Sequence, residues 1–126
     1  MKGVLVDTSV WVDHFRMHND ALTDLLELDV VCSHPLVLGE IACGTPPHRI
    51  QTRTDLGSWQ QAQQATVREV IEFIERERLF CAGCGWVDLT LLASALVTPG
   101  IELWTLDKRL AGLADRFGVI HRPMLH

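Results

Sequence analysis

Gly3-Val4-Leu5-Val6-Asp7-Thr8-Ser9 is the stretch on which the fold turns. Residues 3–6 make a short unbroken apolar run, typical of a strand buried on both faces. An acid and two hydroxyl residues follow at once. Asp, Thr and Ser are residues that cap helix N-termini, so a helix is expected over residues 9–16. A buried strand that turns directly into a helix opens a parallel α/β fold, and in such sheets ligands bind outside the carboxyl ends of the strands. Asp7 stands at such an end.

The same alternation continues outward. Asn19-Asp20 starts a second helix, with apolar and acidic residues at helical spacing over 21–28. Residues 30–32 (Val-Val-Cys) suit a second short strand. Pro35 opens a helix over Pro35–Cys43, which Gly44 and Pro46-Pro47 stop. The stretch 48–80 is polar and helical in character, with an intermittent apolar face from Ile50, Leu56, Val67, Val70, Ile71, Ile74 and Leu79. Its clearest amphipathic helix is 66–78. Gly83-Cys84-Gly85 breaks the chain before an apolar helix at Trp86–Val97, ended by Pro99-Gly100. A third strand is expected over 102–105, a helix over 107–117 closed by Gly118, and a last short strand at Val119-Ile120. Short strands alternating with helices give an α/β fold with a short, mostly parallel central sheet flanked by helices on both faces. The length, 126 residues, suits a single domain over 1–126.

Composition excludes several classes. The apolar fraction of 48% supports a packed core. No apolar run approaches the roughly 20 residues of a membrane span. Only four residues separate Met1-Lys2 from the charge at Asp7, too few for the apolar part of a secretory signal. A soluble cytoplasmic protein is expected. With 16 acids against 11 bases the net charge is −5, which leaves no general basic surface for nucleic acid. Divalent cations bound by clustered acids would invert that field locally.

Four acids occupy informative positions. Asp7 follows the first strand, and Asp107 lies just past the third, so both fall on one edge of the sheet. Glu40 projects from the third helix, whose Leu38 and Ile41 are expected to pack inward. Asp88 opens a helix with almost no polar face, which is expected to be central and buried. Singly, Asp88 and Asp107 read equally well as helix caps, and Glu40 as a solvated charge. Jointly they suggest a site, because clustered carboxylates need a counter-charge and Mg²⁺ or Mn²⁺ prefers oxygen ligands.

Other motifs are silent. The chain has no Gly-rich phosphate loop and no Gly-x-Ser-x-Gly elbow. The histidines (His14, His18, His34, His48, His121, His126) show no paired spacing and read as surface or loop residues. Cys81-Ala-Gly-Cys84 has no second pair in Cys32 and Cys43, so the cysteines read as reduced thiols without a special role.

The segments VDTSVWVDHFR at 6–16, LVLGEIACG at 36–44, GWVDLTLLASAL at 85–96 and LWTLDKRLAGLADRFGV at 103–119 resemble, in order and spacing, the four blocks of PIN-domain nucleases, and within them VapC toxins of bacterial type II toxin–antitoxin pairs. The resemblance covers nearly the whole chain and implies a three-layer α/β/α PIN-like domain. It implies that Asp7, Glu40, Asp88 and Asp107 bind Mg²⁺ (or Mn²⁺) and catalyse endonucleolytic cleavage of RNA. It implies that the hydroxyls of Thr8, Ser9 and Thr105 orient these carboxylates. It also implies a VapB-type antitoxin partner and a homodimer. The CxxC lies outside the family pattern. Lys108, Arg109 and Arg49 are candidate phosphate contacts. Two alternatives are a PIN nuclease of housekeeping RNA processing and a receiver-like, phosphorylation-controlled module. A receiver needs an acidic pair at its first strand and a phosphoacceptor after its third, whereas this chain offers Asp7 alone and only Asp55 in 48–66.

Overall fold

Residues 3–124 are described in the computed structural model of the protein. The readings made of Met1-Lys2 and of His126 lie outside the described residues. The run of residues 3–6 forms β1 (Gly3–Val6), buried throughout, as its apolar sequence requires. It is the central strand of a parallel sheet ordered β2-β1-β3, with β2 at Val31–Cys32 and β3 at Ile101–Trp104. Val4 pairs with Val31 and Leu5 with Cys32 on one side. On the other, the register runs from Gly3 opposite Ile101 to Val6 opposite Trp104. Asp7 and Thr105 therefore leave the sheet side by side.

The helices are α1 (Thr8–Met17), α2 (Asp20–Glu27), α3 (Pro35–Cys43), α4 (Arg49–Ser58), α5 (Val67–Glu77), α6 (Trp86–Val97) and α7 (Lys108–Arg116), with a 3-10 turn at Leu79–Cys81. They pack in two groups. α1 and α4 each contact α3, while α5 and α7 each contact α6, which itself lies on β3. This is the expected α/β/α arrangement.

Local chemistry explains most boundaries. Thr66 and Glu69 form a reciprocal capping box at the start of α5, each side chain bonding the other residue's backbone N–H. Pro35 occupies the first turn of α3, where its missing N–H costs nothing. Residues 89–95 of α6 are all buried. Leu91 and Leu92, with Leu5 and Leu103 of the sheet, are 0% exposed. Each such leucine contributes roughly 1.5–3 kcal/mol of burial.

Three expectations need correction. α6 is buried only in its middle: Trp86 is 41% exposed and Val97 40%. The stretch 48–80 is not continuously helical. Between α4 and α5 the chain runs extended, and Ser33 bridges Gln61 in parallel, with Ser33 N–H donating to Gln60 O at 2.8 Å. Val119-Ile120 forms no full strand, but Ile120 bridges Leu103 in parallel. These two segments occupy the outer sides of β2 and β3, and pairing there uses backbone groups that an open sheet edge would leave free.

Candidate active site

Asp7 is 5% exposed and stands in the N-cap position of α1, yet its carboxylate makes no capping bond. Its Oδ2 instead accepts two hydroxyls, Ser9 Oγ at 2.7 Å and Thr105 Oγ1 at 2.8 Å. Each hydroxyl in turn accepts a backbone N–H from the loop after β3. Ser9 Oγ takes Leu106 N at 3.0 Å, and Thr105 Oγ1 takes Asp107 N at 3.1 Å. Both hydroxyl protons are thus spent on Asp7, and the 3.3 Å approach of the two oxygens carries no bond of its own. Two strand ends, one acid and the loop bearing a second acid are tied together by these hydroxyls and by the Asp7 N–H, which donates to Trp104 O at 2.9 Å.

Glu40 is drawn to the same edge from α3. Thr8 Oγ1, at the first residue of α1, donates to Glu40 Oε1 at 2.7 Å. Ile41 beside it is buried and Leu38 packs partly against the core, so α3 turns its apolar side inward as expected and Glu40 outward. Asp88 is half-buried in the first turn of α6. Burial raises its carboxyl above the ordinary Asp range, and the charges of Asp7, Asp107 and Glu40 raise it further, against a hydrogen bond from the Gly85 backbone. All three other acids are close enough to be felt there. Asp107 is exposed, and its Oδ1 caps α7 by accepting Arg109 N at 2.9 Å and Leu110 N at 3.0 Å. The acids therefore differ: Asp107 is a cap as well as a site candidate, and Asp7 is not.

α3 is aimed by a residue that the sequence reading set aside. His34 is buried, not a surface histidine. Its Nδ1 accepts Leu36 N at 3.0 Å as the N-cap of α3, so the proton sits on Nε2, which donates to buried Ser94 Oγ of α6 at 3.1 Å. Ser94 Oγ also accepts Ala65 N. Burial lowers the His34 pKa and keeps the ring neutral. The signal in the sequence was the pair His34-Pro35, an N-cap followed by an N1 proline.

The PIN-domain family matches residues 4–116, a span that holds all four acids. The chain belongs to the PIN-domain family. It is also similar to ribonuclease VapC32 from two strains of Mycobacterium tuberculosis, 40% identical over 116 residues, covering 92% of this chain and 94% of each relative.

The donors of this PIN domain are all carboxylate and hydroxyl oxygens, the set that suits a hard divalent cation. Among the described residues no three His, Cys, Asp or Glu side chains stand close enough to hold a metal ion jointly. Mg²⁺ does not demand such a cage, since it keeps several waters and takes one or two carboxylates. The exposed Glu40 and Asp107 have room to move, whereas Asp7 is fixed by its hydroxyls.

The candidate phosphate contacts fare unequally. Arg49 is spent on the end of α3, donating to Ala42 O at 2.6 Å and Gly44 O at 2.7 Å. Arg109 lies across Gly83 and donates to its carbonyl at 3.3 Å. Lys108 is exposed at the start of α7. Cys81 and Cys84 are free thiols, and burial with the charges of Asp88 and Asp107 pushes the Cys84 thiol up.

Proposed function

We propose that this PIN domain is a Mg²⁺- or Mn²⁺-dependent endoribonuclease and the toxin of a type II toxin–antitoxin pair, restrained by a VapB-type antitoxin and acting in the cytoplasm. The observation that supports the reading is the set of hydroxyl bonds at the ends of β1 and β3, with Ser9 and Thr105 on Asp7, Thr8 on Glu40 and Thr105 accepting the Asp107 N–H, beside an Asp88 whose carboxyl is raised by burial and by the neighbouring acids. The relatives named ribonuclease VapC32 support RNA as the substrate class, and the resemblance to VapC toxins supports the toxin role. In this reading Asp7, Glu40, Asp88 and Asp107 hold the cation, one or two of them directly and the others through its waters, and Thr8, Ser9 and Thr105 orient the carboxylates. A divalent cation held by these residues would supply positive charge for a phosphodiester and Lewis acidity for water. The chain's own part is positional. Ser9 and Thr105 fix the Asp7 carboxylate in place, because both donate to its Oδ2. Thr8 keeps Glu40 facing the same point.

A homodimer belongs to the same proposal. Exposed Val67, Ile71, Leu96 and Val97 on α5 and α6 offer apolar surface that a second copy would cover.

The test is cleavage of total RNA by the purified protein, with product ends mapped. Cleavage is expected with Mg²⁺ or Mn²⁺, and is expected to vanish in EDTA and in Asp7→Asn. Cleavage that persists in EDTA would refute metal dependence, and cleavage by Asp7→Asn would refute the site.

A further inference from the structure

A groove of about 420 Å³ opens from the candidate site along α1. Thr8 and Glu40 line its inner end, Val12, Phe15 and Arg16 line its length, and the loop with Pro46 closes its far side. Thr8, Val12 and Arg16 are four residues apart in turn, so they form one stripe up the helix. From Thr8 to Arg16 that stripe is about 12 Å long, at 1.5 Å of rise per residue. The volume falls within the usual range of small-ligand pockets, roughly 300–1,000 Å³.

The groove has two chemically different ends. Glu40, bonded to Thr8, makes the inner end acidic. Arg16 makes the outer end basic, and among the described residues its guanidinium has no ion pair or hydrogen bond. This differs from Arg49 and Arg109, whose guanidinium groups are held by backbone carbonyls. Between the ends the wall is apolar, with Val12 37% exposed and Phe15 partly buried against Trp11. An acid-lined end, an apolar wall and an unpaired cation in sequence match a polyanion of flat, apolar-faced units. A neutral or cationic ligand would leave Arg16 unanswered.

We infer that this groove is a substrate subsite that holds single-stranded RNA beside the scissile bond, with bases or riboses on Val12, Phe15 and Pro46 and a neighbouring phosphate on Arg16. The inference rests on the ribonuclease reading of the adjoining acids and deepens it. It also answers the net charge of −5: affinity comes from a local cation spaced away from the acids rather than from a basic surface. Arg16 is a substrate-positioning residue, with no part in bond breaking.

The experiment measures binding of a fluorescein-labelled, mixed-sequence single-stranded RNA by anisotropy, in Mg²⁺ and at several salt concentrations. The parent carries Asp88→Asn so that cleavage is silent. Adding Arg16→Ala is expected to weaken binding roughly three- to tenfold and to reduce the salt slope by about 0.7, one phosphate contact to a single strand. Arg16→Lys is expected to restore the slope, since it keeps the charge. Arg68→Ala on α5, which does not line the groove, is the control and is expected to change neither. A parent that binds RNA with an unchanged affinity and slope in Arg16→Ala overturns the subsite and spares the ribonuclease reading. Arg16→Ala that weakens only an acidic peptide, and not RNA, also overturns it. A parent that binds no RNA overturns both.

Discussion

Thr105→Val removes one oxygen from the centre of the site and leaves the side chain's shape nearly unchanged. Thr105 is buried, and its hydroxyl donates to Asp7 Oδ2 at 2.8 Å while accepting Asp107 N at 3.1 Å. The first bond has a charged acceptor and contributes about 1.5–3 kcal/mol. The second is worth less, because Asp107 is exposed and its N–H can turn to water. Asp7 keeps the Ser9 hydroxyl at 2.7 Å, so its charge is not left bare. The net cost is about 2 kcal/mol. A chain of 126 residues melts with an entropy near 0.26 kcal/mol/K, so Tm should fall by about 8 °C. Differential scanning calorimetry in EDTA reads this without interference from metal. Cleavage of RNA in Mg²⁺ should fall roughly 10- to 100-fold, the usual cost of losing a group that orients a metal-binding carboxylate. Thr54→Val is the control, since that hydroxyl only bonds Ile50 O on an exposed helix, and a change within about 0.5 kcal/mol is expected. A Tm within 2 °C of wild type together with full cleavage would refute the claim that this hydroxyl holds Asp7.

Asp88→Asn should abolish cleavage yet raise the metal-free melting temperature at neutral and alkaline pH. The Asp88 carboxyl is raised in the folded state, so its stabilising contribution is present at low pH and lost as pH rises through the folded value. The gain should shrink toward zero in acid, and a variant less stable than wild type at pH 8 in EDTA would contradict the convergence of the acids. His34→Gln should lower stability at pH 7 and flatten the loss of stability below about pH 6.5. The folded His34 pKa is depressed, so the wild type loses stability as pH falls from the unfolded value toward the folded one, and thermal melts across pH 5–8 read both effects.

How much was legible in advance varies by element. β1, α3 and α6 were found closely, because each carries its own signal: an unbroken apolar run, an N1 proline with a glycine stop, and an apolar stretch between glycine turns. The region after α3 was read less well. The segment between α4 and α5 is extended because Ser33 supplies its backbone partners, and nothing within 59–66 announces that. Among the candidate site residues, Asp7 and Asp107 were expected on one sheet edge from their positions after strands, while Thr105 came only from the family resemblance. His34 was passed over because a capping histidine and a surface histidine look alike until Ser94, 60 residues away, is brought beside it. Arg49 and Arg109 were read as candidate phosphate contacts, and the carbonyl partners that hold them lie where periodicity does not describe them.

The sequence by itself determined most of the strand-turn-helix units and their parallel order, because local propensity and hydrophobic pattern act within a few residues, and it offered four acids as site candidates. It read Asp107, but not Asp7, as a possible helix cap. Only the tertiary structure decided what holds Asp7. Thr105 and Ser9 come from strand ends nearly 100 residues apart, and they meet because β1 and β3 are hydrogen-bonded in register from Gly3 to Val6. That pairing puts two hydroxyls on Asp7 and leaves Asp107 to cap α7, so a buried, aimed carboxylate and an exposed capping one arise from nearly the same local sequence.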